Sequence, residues 1–279
     1  MAEPSPSTPR FSSRIPTALI MGVVNATPDS FSDGGRFLDA GKAVARALQL
    51  VEEGADIIDI GGESTRPGAQ PVGEAEELAR VTPVLTALAG RTAARLSIDT
   101  RKPAVAAACV AAGATIWNDV SALTHAPDSL ETAARLDCDV VLMHAQGDPE
   151  TMQDDPRYDD VVEDVRAFLA RRVEACIRAG VDEDRLILDP GIGFGKTLDH
   201  NLALMAGLDR LAALGRPVLL GASRKRFIAA LDRDGPAAER LGGSIAAVLA
   251  GYARGASIFR VHDVAATRQA LAVAAAIGA

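Results

Sequence analysis

Short apolar runs recur along the chain, and stretches of helical period separate several of them. The first run is TALIMGVVN (17–25), and a helical pattern from Asp39 to Glu53 follows it, stopping at Gly54. ADIIDIGG (55–62) precedes a second helical pattern, about Gly73 to Ala89, with Gly90 as its stop. ARLSIDT (94–100) leads into KPAVAAACVAAG, where Pro103 suits an opening turn and Gly113 a C-terminal cap. ATIWNDV (114–120), CDVVLMHA (138–145), RLILDPG (185–191), PVLLGAS (217–223) and ASIFRVH (256–262) bring the runs to eight. An extended fifth loop, DPETMQDDPR (148–157), leads to a helix predicted over about Tyr158 to Ala179. Residues 234–254 predict an Ala-rich helix, and a closing helix follows the last run.

Most of these runs are apolar throughout, the pattern of parallel strands covered on both faces. Eight strand–helix units in 279 residues point to a (β/α)8 TIM barrel. It would be one domain, 15–279, behind a flexible tail at 1–14. A doubly wound open sheet is the alternative, because strand order is not written in the sequence. The count of eight, and the lack of a Gly-rich dinucleotide fingerprint after the first run, favour the barrel.

Composition narrows the class of function. Hydrophobic residues at 48% supply a large core, whereas a net charge of -8 argues against broad binding to a nucleic-acid backbone. Aromatics at 4% leave little surface on which bases could stack. No apolar run nears the ~20 residues of a membrane helix, and the Pro/Ser-rich first residues lack the apolar core of a signal peptide. A soluble, cytoplasmic protein is expected. The three cysteines, Cys109, Cys138 and Cys176, are odd in number and far apart, which predicts reduced, buried thiols.

The ends of the eight runs carry the chemistry. They supply Asn25, Asp59 with Gly61-Gly62-Glu63, Asp99, Asn118 with Asp119, His144, Asp189, Ser223 with Lys225, and Arg260 with His262. A barrel gathers all these ends on one face, where active sites are built. One such Asp could merely cap the next helix; a polar group at every end cannot be dismissed that way. Asp99, Asn118, Asp189 and Lys225 offer donors and acceptors to a flat heterocycle with several N–H and C=O groups. Arg260, Arg66, His262 and Asn25 suit phosphate oxygens or a metal-bound phosphate.

Several leads fall away. PGIGFGKT (190–197) resembles a phosphate-binding P-loop, but Pro190 occupies its first glycine position and has no N–H to donate. Ser223 has no G-x-S-x-G elbow and no histidine nearby in sequence. His125 and His200 read as surface or capping residues, which leaves no histidine metal centre.

The segments MGVVNATPDSFSDGG (21–35), IIDIGGESTRPGA (57–69), SIDTRKP (97–103), NDVSA (118–122), LMHAQGDPETMQ (142–153), LILDPGIGFGKT (186–197), GASRKRFI (221–228) and RVHDV (260–264) resemble, in order, those of the dihydropteroate synthases of folate biosynthesis. The resemblance implies a barrel that joins 4-aminobenzoate to 6-hydroxymethyl-7,8-dihydropterin diphosphate by an SN1-like displacement. Dihydropteroate and pyrophosphate would leave, with Mg2+ as helper. It implies that Asp99, Asn118, Asp189 and Lys225 hold the pterin edge, that Arg260 stacks on the ring, and that Met143 and Phe194 line the pocket. Asn25, Arg66 and His262 would serve the diphosphate, Asn25 with the metal. Thr65, Arg66, Pro67, Phe31, Ser223 and Arg224 would surround the aminobenzoate, and Arg226 would face solvent.

Ala26 and Ala145 depart from the family pattern, which commonly has a β-branched residue and a methionine there; neither change removes a polar group. STRPGA is intact, which implies inhibition by sulfonamides. A homodimer is also implied. The rival readings are a pterin-dependent methyltransferase of the same barrel class, a catalytically silent pterin-binding paralogue, and a nucleic-acid-binding module. The Gly- and Ser-rich first two loops and the SRK run favour the synthase.

Overall fold

The computed structural model describes residues 18–26, 36–63, 71–147 and 151–278, with the backbone alone for 36–39. The predicted tail at 1–14 lies outside the described residues.

Eight parallel strands form one sheet in the order β6-β5-β4-β3-β2-β1-β8-β7. They are β1 (Leu19–Asn25), β2 (Ile57–Gly61), β3 (Arg95–Asp99), β4 (Ile116–Asp119), β5 (Asp139–Met143), β6 (Leu186–Asp189), β7 (Leu219–Leu220) and β8 (Ile258–Val261). A parallel bridge between Leu188 and Val218 joins β6 to β7 and closes the barrel. This rules out the open sheet.

The strands are apolar on both faces because each face is covered. Alternate positions point inward, and Met21, Ile57, Ile116, Val141, Ile187, Leu219 and Ile258 form a fully buried plug inside the barrel. The other parity, including Ile20, Ile58, Ile60, Ile98, Trp117, Leu142, Leu188 and Phe259, packs against the surrounding helices in the larger core. Those helices begin with α1 (Arg36–Glu52), α2 (Glu74–Leu88), α3 (Pro103–Ala111), α4 (Ser129–Arg135) and α5 (Val161–Arg178). They continue with α6 (Leu198–Ala206), α7 (Leu208–Ala212), α8 (Arg226–Leu231), α9 (Leu241–Tyr252) and α10 (Val264–Ile277).

Local chemistry sets their ends. Pro103 opens α3 as predicted, and Gly54, Gly90 and Gly113 take positive φ just beyond α1, α2 and α3. α5 starts three residues later than predicted, because the Asp160 carboxylate accepts from the N–H groups of Val162 and Glu163 and caps the helix there. The helix predicted within 234–254 begins only at Leu241, after a 3-10 turn at Ala237–Arg240. Pro236, with no N–H to donate, precedes that turn. Short α4 and α7 carry no expectation from the sequence, whereas His200, read as a surface or capping residue, caps the start of α6. The Thr197–His200 capping box that starts α6 carries histidine where glutamate or glutamine is the usual signal.

Among the described residues no helix is long and apolar enough to cross a membrane. Cys109, Cys138 and Cys176 are buried and unpaired. Burial pushes their thiols up to about 12, 11 and 11 respectively. All three should therefore resist Ellman's reagent in the native protein and react once guanidinium unfolds it. Rapid native labelling at any of them would contradict their burial.

Candidate active site

The inward parity that builds the apolar plug turns polar two residues later. Above Ile57 in β2 comes Asp59, above Ile116 comes Asn118, above Ile187 comes Asp189, and above Ile258 comes Arg260. Asn25, Asp99 and Met143 end β1, β3 and β5 on the same parity. Ser223 and Lys225 follow β7, and His262 follows β8.

Asp59 organises this row. It is fully buried, and Ser97 Oγ donates to its Oδ1 at 2.6 Å. Asn118 Nδ2 donates to its Oδ2 at 3.2 Å, and Arg260 Nε donates to the same oxygen at 2.7 Å. Arg260 then reaches Asp99 through Nη2 at 2.8 Å. A single guanidinium thus bridges two inward carboxylates, a planar geometry that suits arginine. Burial pulls the Arg260 pKa down, but Asp59 and Asp99 outweigh it and hold the group above its ordinary value. Asp59 stands in the sequence reading as a strand-end acid without a role. Its signal was its parity with Asp189 and Asn118.

The other carboxylates are held in tension with their cations. Burial raises Asp99, and Asp59, Glu77 and Asp119 add to the rise while Arg260 opposes it. Burial likewise raises Asp189, against Lys225, the N–H of Gly191, Arg260 and Lys196. That N–H donates to Asp189 Oδ1 at 2.7 Å. Burial lowers Lys225 to about 8, with Asp189 and Asp99 countering and Arg260 reinforcing. Lys225 Nζ donates to the carbonyl of Ile192 and lies 4.6 Å from the centroid of the Phe194 ring.

At the rim, Ser223 Oγ lies 3.1 Å from His262 Nδ1 and also accepts from the His262 N–H at 3.3 Å. The Arg224 guanidinium is engaged by Asp263, which it contacts through Nε at 2.9 Å and Nη2 at 2.5 Å. Its backbone sits at φ 60, pinned by its N–H to Ser244 Oγ at 2.9 Å. Arg226 is exposed, so the SRKR run splits in three directions.

The structure brings together Asp99, Asn118, Asp189, Lys225 and Arg260, with Met143 and Phe194 at the ends of the neighbouring β5 and β6 units. Phe31, Thr65, Arg66 and Pro67 lie outside the described residues. Glu63, which precedes three of them, is held by Arg101 at 3.1 Å and by Lys102, and Lys102 also binds buried Glu77 at 2.6 Å. His200 caps α6 and His125 is exposed. Among the described residues no group of three or more His, Cys, Asp or Glu side chains is arranged to hold a metal. Asn25 offers one amide oxygen at the mouth. That fits Mg2+ only where phosphate oxygens and water complete its shell.

Residues 21–262 match a family described as pterin binding enzyme. A dihydropteroate synthase of Neisseria meningitidis serogroup B is 50% identical over 274 residues, which is 96% of this chain and 96% of that protein. The Xanthomonas albilineans dihydropteroate synthase solved with 4-aminobenzoic acid is 52% identical, with a TM-score of 0.89 over 94% of both chains. The same enzyme in complex with 7,8-dihydropteroate gives a TM-score of 0.86 at 49% identity, again over 94% of both chains.

His144, just past β5, makes stability depend on acid. Burial and then the Lys196 charge lower it from 6.5 to about 3, so the ring stays neutral in the fold and protonates readily when unfolded. Its contribution is complete above pH 6.5 and is lost as pH falls toward 3, at about 1.4 kcal/mol per pH unit. Urea midpoints between pH 7 and 5 should fall more steeply for the wild type than for His144→Gln. Equal slopes would refute this.

Proposed function

The chain belongs to the pterin-binding enzymes, and within them to the dihydropteroate synthases, and from that membership we propose a division of labour at the barrel mouth. The enzyme is a transferase. It joins 4-aminobenzoate to 6-hydroxymethyl-7,8-dihydropterin diphosphate, giving 7,8-dihydropteroate and pyrophosphate. The bond from the exocyclic carbon to the diphosphate oxygen breaks, the amine nitrogen bonds to that carbon, and the amine gives up a proton.

One observation carries the assignment of roles: Asp99, Asn118, Asp189 and Lys225 surround an Arg260 already fixed by two carboxylates. Asp99, Asn118, Asp189 and Lys225 take the N–H and C=O groups of the pterin edge. Arg260 lays its guanidinium plane on the ring, and Met143 and Phe194 close the sides. Aminobenzoate is a weak nucleophile, so the site must favour departure of pyrophosphate rather than strengthen a base. Buried Asp189 favours the cation that spreads over the pterin as the exocyclic carbon loses its leaving group. His262 and Arg66 favour the diphosphate, and Ser223, Arg224, Thr65, Pro67 and Phe31 frame the aminobenzoate. With Arg224 bound to Asp263, its share is to hold the shape of the turn.

Mg2+ would arrive on the diphosphate, with Asn25 as its protein oxygen, and would supply charge neutralisation of the leaving group. Reduced, buried thiols support a cytoplasmic location. We also propose a homodimer, which the sequence resemblance implies. An apolar hollow of about 650 Å3 beside α6, α8 and α9, lined by Leu202, Phe227, Leu231 and Ala246, supports a second copy as its occupant. Leu231 there is 57% exposed in the single chain.

Pyrophosphate release should require both substrates, and a sulfonamide should compete with aminobenzoate. Release that ignores aminobenzoate, or none at all, would overturn the assignment. Asp189→Asn keeps an oxygen for the Gly191 N–H, so the fold should survive while kcat falls about 10²- to 10³-fold. Wild-type turnover in that variant would remove the charge-stabilising role. Sedimentation at micromolar concentration should show twice the chain mass; a monomer would remove the dimer.

A further inference from the structure

The GFGK run, excluded as a P-loop, holds a lysine with no part in the proposed chemistry. Lys196 is 3% exposed, and its Nζ contacts His144 Nδ1 at 2.9 Å, the Phe194 carbonyl at 2.9 Å and the His144 carbonyl at 3.2 Å. The two carbonyls accept from it, and with the neutral His144 ring carrying its proton on Nε2, Nδ1 accepts the third N–H of an ammonium. None of the three belongs to a substrate. Two lie just beyond β5 and one lies in the loop after β6, so Lys196 ties these loops together.

That loop is close-packed. Gly191 takes φ +66, and a Cβ there would stand 1.9 Å from the His144 carbonyl oxygen; Gly195 takes φ +62, and its Cβ would stand 2.4 Å from the Gln146 carbonyl oxygen. Gln153 Nε2 donates to the Gly193 carbonyl at 2.7 Å, and the Tyr158 hydroxyl donates to the Gly195 carbonyl at 2.7 Å. The Gly193 N–H donates to Asn201 Oδ1 at 2.6 Å. What the loop presents to the site is the Phe194 ring and the Ile192 carbonyl, the two groups against which Lys225 rests.

We propose that Lys196 is a positioning residue for the pterin end of the site, fixing Phe194 and the Ile192 carbonyl and through them the ammonium of Lys225. The proposal rests on the assignment of Lys225 and Phe194 to the pterin. Lys196 also lends positive charge to Asp189. The charged and titratable groups around it are Asp189 and Lys225 from the ends of β6 and β7, with His144 and Tyr158 from the β5 side. Burial lowers Lys196 to about 7, Asp189 opposes that and Lys225 adds to it. Losing its charge would raise Asp189 and move the acid limb of the pH profile upward.

Lys196→Met fills nearly the same space without charge or donors. Its KM for the dihydropterin diphosphate should rise about tenfold, while its KM for aminobenzoate stays within about twofold. The acid limb of kcat/KM for the pterin substrate should shift to higher pH. In combination with Phe194→Ala, the pterin effect should be less than additive, since both changes release the same support. A lower melting temperature with both KM values and the pH profile unchanged would show a structural role only and overturn the proposal. If Lys196→Met does not fold, Lys196→Gln, whose amide can serve two of the acceptors, replaces it. Failure of both to fold would also overturn it, because the charge would then serve the fold as a whole. Calorimetric binding of 6-hydroxymethylpterin reads the pterin end without turnover. A wild type that binds pterin but releases no pyrophosphate sinks the functional assignment and leaves this test standing. A wild type that does not bind pterin sinks both.

Discussion

A strand repeats its side-chain direction every two residues, and in a closed barrel that period decides what the interior can hold. The lower interior takes Met21, Ile57, Ile116, Val141, Ile187, Leu219 and Ile258, which together exclude water. Two residues further along the same strands stand Asp59, Asn118, Asp189 and Arg260. A slip of one residue in β2, β6 or β8 would turn Asp59, Asp189 or Arg260 out of the mouth and bring an aliphatic in its place. The apolar plug and the polar mouth are therefore one specification, and stability below is tied to chemistry above.

Charges in such a place need partners, because an unpaired buried ion costs far more than a surface one. Asp59 is satisfied on both oxygens by Ser97, Asn118 and Arg260. That arrangement holds Arg260 edge-on to two carboxylates and leaves its face free of them. Asp189 has less support, a backbone N–H and the charges of Lys225, Arg260 and Lys196. Asp59 serves as scaffold and Asp189 as the carboxylate available to a developing cation. Their environments, not their residue type, separate the two roles.

The loops above β5 and β6 are built as one piece. The glycines at 191 and 195 let backbone approach backbone, and Lys196 then spends all three donors on the seam. A loop that must present an aromatic ring and a carbonyl at fixed positions gains from having few other conformations. The same packing explains why His144, at the seam, is neutral and acid-sensitive.

The sequence by itself determined the strands, most of the helices and the parity of the polar residues, because these depend on local periods of two and 3.6. It also determined helix ends where a proline or glycine stood at the boundary, as at Pro103 and Gly113. It did not determine the short α4 and α7, or the break at Pro236 within an Ala-rich stretch. Only the tertiary structure closed the barrel, through Leu188 and Val218, since pairing between distant strands leaves no local mark. Only it joined Asp59 to Arg260, 201 positions apart, and sent Arg224 to Asp263 instead of leaving it open at the mouth. And only it showed that the lysine of GFGK faces inward onto carbonyls. A side chain's type can be read from the chain, but its partners are chosen by what the fold brings within 3 Å of it.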